Sequence, residues 1–527
     1  MTFVVMSVLM RSPLSMPACR LCVAGFPIAG LLVMASAGAY GQVANSEAGS
    51  GRSISIVPRV SISETLTDNV RLTSTGQQSD QITEISPGVR INIEGARLKG
   101  YFDYALNEIV YAQSASSNRT QNALTTFGTL EAVDNWAYLD FSGSISQQTI
   151  SAFGAPSTNN ASINANQSEV SSYRVSPYVR GRLGDMAQYE ARYSRAITQN
   201  GTATGSNVAT ADGVVSISGD SAFRNLGWSA DASQQTIDYS AGRPTEADRL
   251  SLGLSYAITS QLSISANAGR ETNNYTSLDK QGYGTSGVGV NWSPSPNTKF
   301  SAALGHRSFG DTHSLSFEHR TARTAWKFTD AKDASATPNQ AGTASIGPTY
   351  DILYSQFASL EPNPTARAQL VNAYMQANNI SPGANVTSSF LTSALSLTRR
   401  QDLLFALLGV RDTVTFMATR SESSRLDIVS SGVDDLTNSS LVRQRGFSVN
   451  YSHRLTPDYS LGVLVSQQKT SGESGLQDAN LRLLNVNVTG KVSKKTTASV
   501  GIRRVSYSGN TVPYEETAVM FNLTMQF

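Results

Sequence analysis

The chain has 527 residues, with 41 basic and 39 acidic side chains and 40% hydrophobic content. So even a balance excludes a basic surface built for nucleic acid. Its two cysteines, Cys19 and Cys22, lie close together near the start, which excludes a disulfide framework and any thiolate metal site further on.

The first 39 residues hold Arg11 and Arg20, no acidic residue, and an apolar or small run from Leu21 to Ala37. With the small-x-small triplet Ala37-Gly38-Ala39, residues 1–39 read as a secretory signal peptide. Translation from Met16 would shorten its long basic lead. A retained transmembrane helix is the weaker reading, since Pro27 and the small-residue tail interrupt the run. Residues 40–53 follow as a short periplasmic segment, and no later stretch has the 18 or more apolar residues of a membrane-crossing helix.

From residue 54 onward the texture is uniform. Segments of about ten residues alternate apolar with polar positions, as in Leu250, Leu252, Leu254 and Tyr256 against Ser251, Gly253 and Ser255. Short turns join them in pairs, which is the pattern of antiparallel hairpins. Twenty-two strands are predicted near 54–66, 81–93, 97–112, 119–131, 136–150, 169–182, 187–200, 220–230, 233–240, 248–258 and 261–272, then near 282–292, 298–309, 312–320, 324–330, 387–397, 402–417, 441–453, 459–470, 480–491, 496–507 and 515–527. An even count puts both ends of a closed barrel on one side of a membrane. Connections at 94–97, 183–186, 259–261, 293–297, 398–401, 454–459 and 491–496 are short, while 151–168, 201–219, 331–386, 418–440 and 471–479 are long. Short periplasmic turns and long outer loops are the barrel rule. The expected fold is therefore all-β: a transmembrane antiparallel barrel of about 22 strands over 54–527. A solenoid would show a fixed repeat period, and none is present.

The alternation also sorts side chains by face. Glu84, Arg90, Asn92 and Glu94 share one phase of their strand, Lys99 and Asp103 one phase of the next, and Glu190 with Arg192 one phase of a third. These eight are candidate lumen-lining residues, and their mixed signs predict internal ion pairing in a hydrated interior. Within 331–386, Leu353, Phe357 and Leu360 recur at helical spacing, as do Ala366, Leu370 and Tyr374, so two short helices are expected. The following run Asp402–Val410 is apolar on both faces, and an apolar lumen face in water would be costly. A plug is predicted, with Leu353, Phe357, Leu370 or Tyr374 against Leu403, Phe405 or Leu407.

Chemistry-bearing motifs are sparse. His306, His313 and His319 fall in phase with lipid-side residues, and no HExxH, GxSxG or P-loop sequence occurs. Asp427, Asp434 and Asp435 lack calcium-loop spacing and read as solvated loop surface. Neither an enzyme nor a cofactor site is expected. The chain ends on Val519, Phe521, Leu523, Met525 and Phe527, alternating with polar partners, as the closing strand of such a barrel would.

Several stretches resemble the outer-membrane proteins associated with the PEP-CTERM/exosortase system, of β-barrel porin type. They are Ile62-Ser-Glu-Thr-Leu-Thr-Asp-Asn-Val-Arg-Leu72, Ser86-Pro-Gly-Val-Arg-Ile91, Tyr101-Phe-Asp-Tyr-Ala-Leu106 with Asn118-Arg119, Trp292-Ser-Pro-Ser-Pro-Asn-Thr298, Gly305-His-Arg-Ser-Phe-Gly310 and the closing strand. The resemblance implies the outer membrane of a Gram-negative cell, in contact with lipid and lipopolysaccharide. It also implies export or surface assembly of extracellular polysaccharide or sorted surface proteins, alongside periplasmic export components or the exported polymer. It carries over no catalytic or ligand residue. A porin-like channel for small solutes and a surface protein merely anchored by its barrel are the alternatives.

Overall fold

The computed structural model describes residues 53–201, 206–221, 223, 225–335, 353–354, 371, 390–427, 434–473, 478–509 and 512–527. The expected signal peptide, nearly all of 40–53, and Phe357, Leu370 and Tyr374 lie outside them.

The strands are β1 (Ser53–Thr67), β2 (Asp80–Glu94), β3 (Leu98–Tyr111), β4 (Arg119–Val133), β5 (Ala137–Thr149), β6 (Gln167–Leu183), β7 (Ala187–Asn200) and β8 (Val208–Asp220). Then come β9 (Leu226–Tyr239), β10 (Thr245–Ala257), β11 (Leu262–Asn273), β12 (Gln281–Ser295), β13 (Thr298–Arg307), β14 (Gly310–Arg320) and β15 (Thr324–Ser335). The last seven are β16 (Ser396–Leu408), β17 (Asp412–Arg425), β18 (Leu441–Arg454), β19 (Tyr459–Ser471), β20 (Ala479–Ser493), β21 (Thr496–Gly509) and β22 (Tyr514–Gln526). Each pairs antiparallel with its sequence neighbours in one 22-stranded sheet. β1 pairs with β22, from Arg59 opposite Gln526 to Thr67 opposite Ala518, and closes the barrel. Two short helical pieces lie in connections, a 3-10 turn at Ala115–Ser117 and α1 at Asp435–Asn438. Leu353, Tyr354 and Val371 also have helical backbone.

Directly opposed residues in a ladder share a face, so one face can be followed round the sheet. Arg59 sits opposite Gln526, and Arg90 opposite Asp103. Tyr138 sits opposite Tyr178, and Arg503 opposite Ala518. That face is the lumen. The other carries Leu250, Leu252, Leu254, Phe521, Leu523 and Met525, all well exposed. An antiparallel barrel with no free edge and an apolar outer wall is what lipid requires. The chain is an outer-membrane β-barrel. Turns between β2 and β3, and at every second connection after it, are five residues or fewer; the long connections share the other end. Both ends of the sheet lie on the short-turn, periplasmic side.

Two hairpins differ from expectation. The strand predicted at 220–230 is cut by a turn, because Asn225 adopts a left-handed backbone (φ 74°), and β8 occupies most of the expected loop 201–219. The strands predicted at 387–397 and 402–417 are instead β16 and β17, with their turn at 409–411 rather than 398–401. Gly409 begins this turn and donates its amide to the Asp412 carbonyl at 2.6 Å. Apolar residues on both faces had hidden the break. The outer loop before β16 consequently runs over 336–395, and 418–425 belongs to β17.

Phe521→Arg at mid-strand in β22 is expected to cost about 2–4 kcal/mol of folding stability. Asn522→Arg, on the lumen face, should cost only about 1 kcal/mol through the lost hydrogen bond to Ser61. Reversible denaturant unfolding in lipid vesicles measures both.

Candidate functional site

On the periplasmic half of the lumen wall, β1 to β7 carry charges that the barrel brings together. Asp103 accepts from Arg59 at 2.6 Å and from Arg90 at 2.8 Å, and also from the Tyr101 hydroxyl at 3.0 Å. Tyr101 stacks on Phe127 with ring centroids 5.4 Å apart. Further round, Arg192 bridges Asp140 at 2.7 Å and Glu190 at 3.0 Å. Its guanidinium lies 3.8 Å from the Tyr178 ring centre, and Tyr178 stacks on Tyr138 at 5.0 Å. Arg180 covers Tyr138 and donates to its hydroxyl at 3.1 Å. All eight sequence-derived wall residues, Glu84, Arg90, Asn92, Glu94, Lys99, Asp103, Glu190 and Arg192, share the lumenal face. Glu94 is opposite Lys99, and Asn92 opposite Tyr101. Sequence reasoning passed over Arg59, Phe127, Tyr138, Asp140, Tyr178 and Arg180. The same period of two carries Tyr138 and Asp140 in β5, and Tyr178 and Arg180 in β6, against an outward Leu139 and Val179.

The outer half is built differently. The connection 150–166 leaves β5, but its partners are spread round the rim. Ala161 packs with Ile82, Ile109 and Tyr111, and Ala155 packs against Val505, Tyr507 and Tyr514. Ala152 packs with Phe390, Leu436 and Val442. β5 and β18 stand almost opposite one another in a ring of 22, so this loop crosses the mouth. A second crossing segment precedes β16: Leu395 packs with Val208, Ile237, Tyr239 and Tyr275 on the far wall.

Carboxylates pin these crossings. Asp435 accepts from Ser151 Oγ and from the Ala152 amide, both at 2.6 Å. Asp434 caps α1 through the Thr437 amide at 2.8 Å and also accepts from the Ser393 amide at 2.6 Å. Asp427, almost fully buried, pairs with Arg243 at 3.1 Å, and Arg243 reaches the Asn274 carbonyl at 2.6 Å. The expectation of solvated loop surface for Asp427, Asp434 and Asp435 is therefore corrected: all three tie loops together, and their partners are too distant in sequence for spacing to show them. Below them, Glu271 is wholly buried between Arg307 at 2.9 Å and Asn273 at 2.7 Å, and Glu516 between Arg503 at 2.8 Å and Thr67 at 3.0 Å.

The long insert also meets the inner wall, though not where expected. Leu353 and Val371 are fully buried in a cluster with Ala325, Leu404, Ala406 and Met417, with Tyr354 and Leu408 packed against it. Leu403, Phe405 and Leu407 occupy the opposite, lipid-facing phase of β16, where Phe405 packs on the exposed Trp326 at 4.2 Å between ring centres. Both phases of this strand are apolar, one for lipid and one for the insert, so its hydrophobicity could not say which was which. Among the described residues no group of three or more His, Cys, Asp or Glu is placed to hold a metal ion.

A family model described as "Protein of unknown function, DUF481" matches residues 218–330, from the end of β8 into β15. It is a different family from the one the sequence resembles, whose coarser implication, an outer-membrane barrel, is what the structure shows. No curated protein matches the chain. Among solved structures, the apoprotein form of the FrpB iron transporter from Neisseria meningitidis is 10% identical with a TM-score of 0.46, covering 89% of this chain and 81% of that one. The siderophore receptor PirA from Pseudomonas aeruginosa is 8% identical with a TM-score of 0.42, over 90% and 80%. OccK2 (OpdF) from Pseudomonas aeruginosa is 8% identical with a TM-score of 0.34, over 90% and 98%. At these identities and scores they assign no substrate here.

Burial pushes the Asp435 carboxyl from 3.8 up to about 6, with its Ser151 and Ala152 donors only partly opposing this and Asp434 adding to it. Asp434 is also buried, but its donors at Ser393 and Thr437 hold it below the usual range. The closed loops thus bind the Asp435 proton more tightly than opened ones. Their closure should weaken as pH rises from about 4 to about 6 and then level off. Exchange of the Ala152 amide over that range, corrected for intrinsic rate, should show this, and Asp435→Asn should flatten it.

Proposed function

We propose that this protein is a porin-like channel for small polar solutes, its outer mouth narrowed by loops that cross the lumen. The observation that carries the reading is the connection 150–166, held on β3, on β21 and β22, and on α1 at once. A loop pinned at three places round a rim divides a wide opening into smaller passages. Beneath it, the wall is polar and its charges are neutralised around Asp103 and Arg192. Such a wall favours passage of polar solutes with weak selectivity for either sign of charge. The stacked pairs Tyr101–Phe127 and Tyr138–Tyr178 add ring faces suited to the apolar faces of sugars or other ring compounds.

Export or surface assembly of a polysaccharide or of sorted proteins, the reading implied by the resemblance, would use the same barrel. It needs a wider passage than the pinned loops favour, so it ranks second. A barrel serving only to anchor its outer loops ranks third.

Planar-bilayer recording separates these readings. The wild type should conduct with small unitary steps and little preference between cations and anions. Leu436→Asn, which puts a polar group into the buried loop cluster, should raise unitary conductance or open time several-fold while the barrel keeps its heat-modifiable migration. A bilayer that stays silent with both forms would overturn the channel reading. In cells, the export reading instead predicts lost surface polymer on deletion of 351–380.

A further inference from the structure

The outer wall of the barrel carries a feature that neither the lumen nor a plain hydrophobic belt requires. Arg420 of β17 lies directly opposite Arg445 of β18, and Arg445 directly opposite Lys469 of β19. All three stand on the lipid-facing phase and are exposed. Like charges directly opposed in a sheet repel, so three in a row call for a counter-charge. Arg420 has one neighbour, Glu422, at 2.7 Å; Arg445 and Lys469 make no ion pair among the described residues.

Their height on the wall says where that counter-charge comes from. Arg420 lies eight positions from the periplasmic start of β17 at Asp412, roughly 26 Å along the strand and about 20 Å up the wall at a tilt near 40°. Next outward on the same phase come the charged Glu422 and Arg443, so the row sits towards the outer edge of the apolar band, where leaflet headgroups lie. Immediately towards the periplasm, the same phase becomes apolar with Phe328, Leu403 and Phe447. The small side chain of Ala418 between Leu403 and Phe447 leaves a groove of about 450 Å³, lined by these residues and by all three cations. Acyl-sized apolar space lies directly beneath a triplet of cations.

We propose that this groove binds one outer-leaflet phosphorylated glycolipid, of the lipopolysaccharide type. Its phosphoryl groups pair with Arg420, Arg445 and Lys469, and an acyl chain lies over Ala418 between Leu403 and Phe447. Charge-assisted bonds from guanidinium to phosphate are short and strong, and each cation near an anionic membrane surface strengthens binding about fivefold.

The test uses the full barrel purified in detergent and stripped of lipid, with bis-phosphorylated lipid A as probe. Native mass spectrometry should show one retained lipid A, and lipid A should raise the melting temperature. Arg445→Ala with Lys469→Ala should weaken binding roughly 25-fold. Arg504→Ala, an outward cation on β21 that is paired with Glu515, should bind like the wild type. Lipid A with its phosphates removed should bind the wild type at least as weakly as intact lipid A binds the double variant, which keeps Arg420. Equal binding of the dephosphorylated lipid, equal binding by the double variant, or equal protection by inorganic phosphate alone would each overturn the proposal. A double variant that melts lower than wild type in lipid-free detergent would also overturn it, by assigning the row a structural role.

Discussion

A strand in hydrocarbon has no water to satisfy its backbone, so each of its edges needs another strand. Here the requirement is met by the seam between β1 and β22, where Arg59 to Thr67 pairs with Gln526 to Ala518. With the seam in place, alternate residues along the strands are assigned to lipid or lumen, apart from the irregularities at Glu131–Val133, Trp292–Ser295 and Lys491–Ser493 near the periplasmic turns. Phe521 and Leu523 face out because Asn522 and Thr524 face Ser63 and Ser61 across the seam. Without closure, those apolar residues would border an open edge and the polar row would have no common interior.

The lumen created in this way is not uniform. In its periplasmic half the half-buried side chains of Arg59, Arg90 and Asp103 neutralise one another. In its outer half loops fold inward, and there buried charges are paired: Glu271 with Arg307, Glu516 with Arg503, Asp427 with Arg243. A buried pair of this kind adds little net stability, yet removing one partner leaves an uncompensated charge. The Asp427–Arg243 pair acts as a locator between two connections, while the other two tie strands of the wall together. The neutral contacts of Leu353, Val371, Leu395 and Leu436 then supply the apolar burial that keeps loops against the wall.

Charge on the outward phase is for the most part handled as it is in the lumen, by carboxylates on neighbouring strands: Arg399 pairs with Asp330, and Arg504 with Glu515. The row of Arg420, Arg445 and Lys469 departs from this, with Glu422 alone beside it.

The sequence alone determined whatever depends on a period of two: the barrel class, the even strand count, the side on which long loops lie, and which side chains of a strand share a face, as Glu84 and Arg90 do in β2 and Glu190 and Arg192 in β7. Alternation is local, so a few residues suffice to read it. It failed where the pattern was symmetric or interrupted, as at Asn225, whose left-handed turn looked like strand, and at Leu403 to Leu408, where both phases are apolar. Only the tertiary structure decided which residues meet across the mouth. Asp435 and Ser151 are 284 positions apart, and nothing near either one encodes the other. Ring closure and the length of the crossing loops bring them together, and these are properties of the whole barrel.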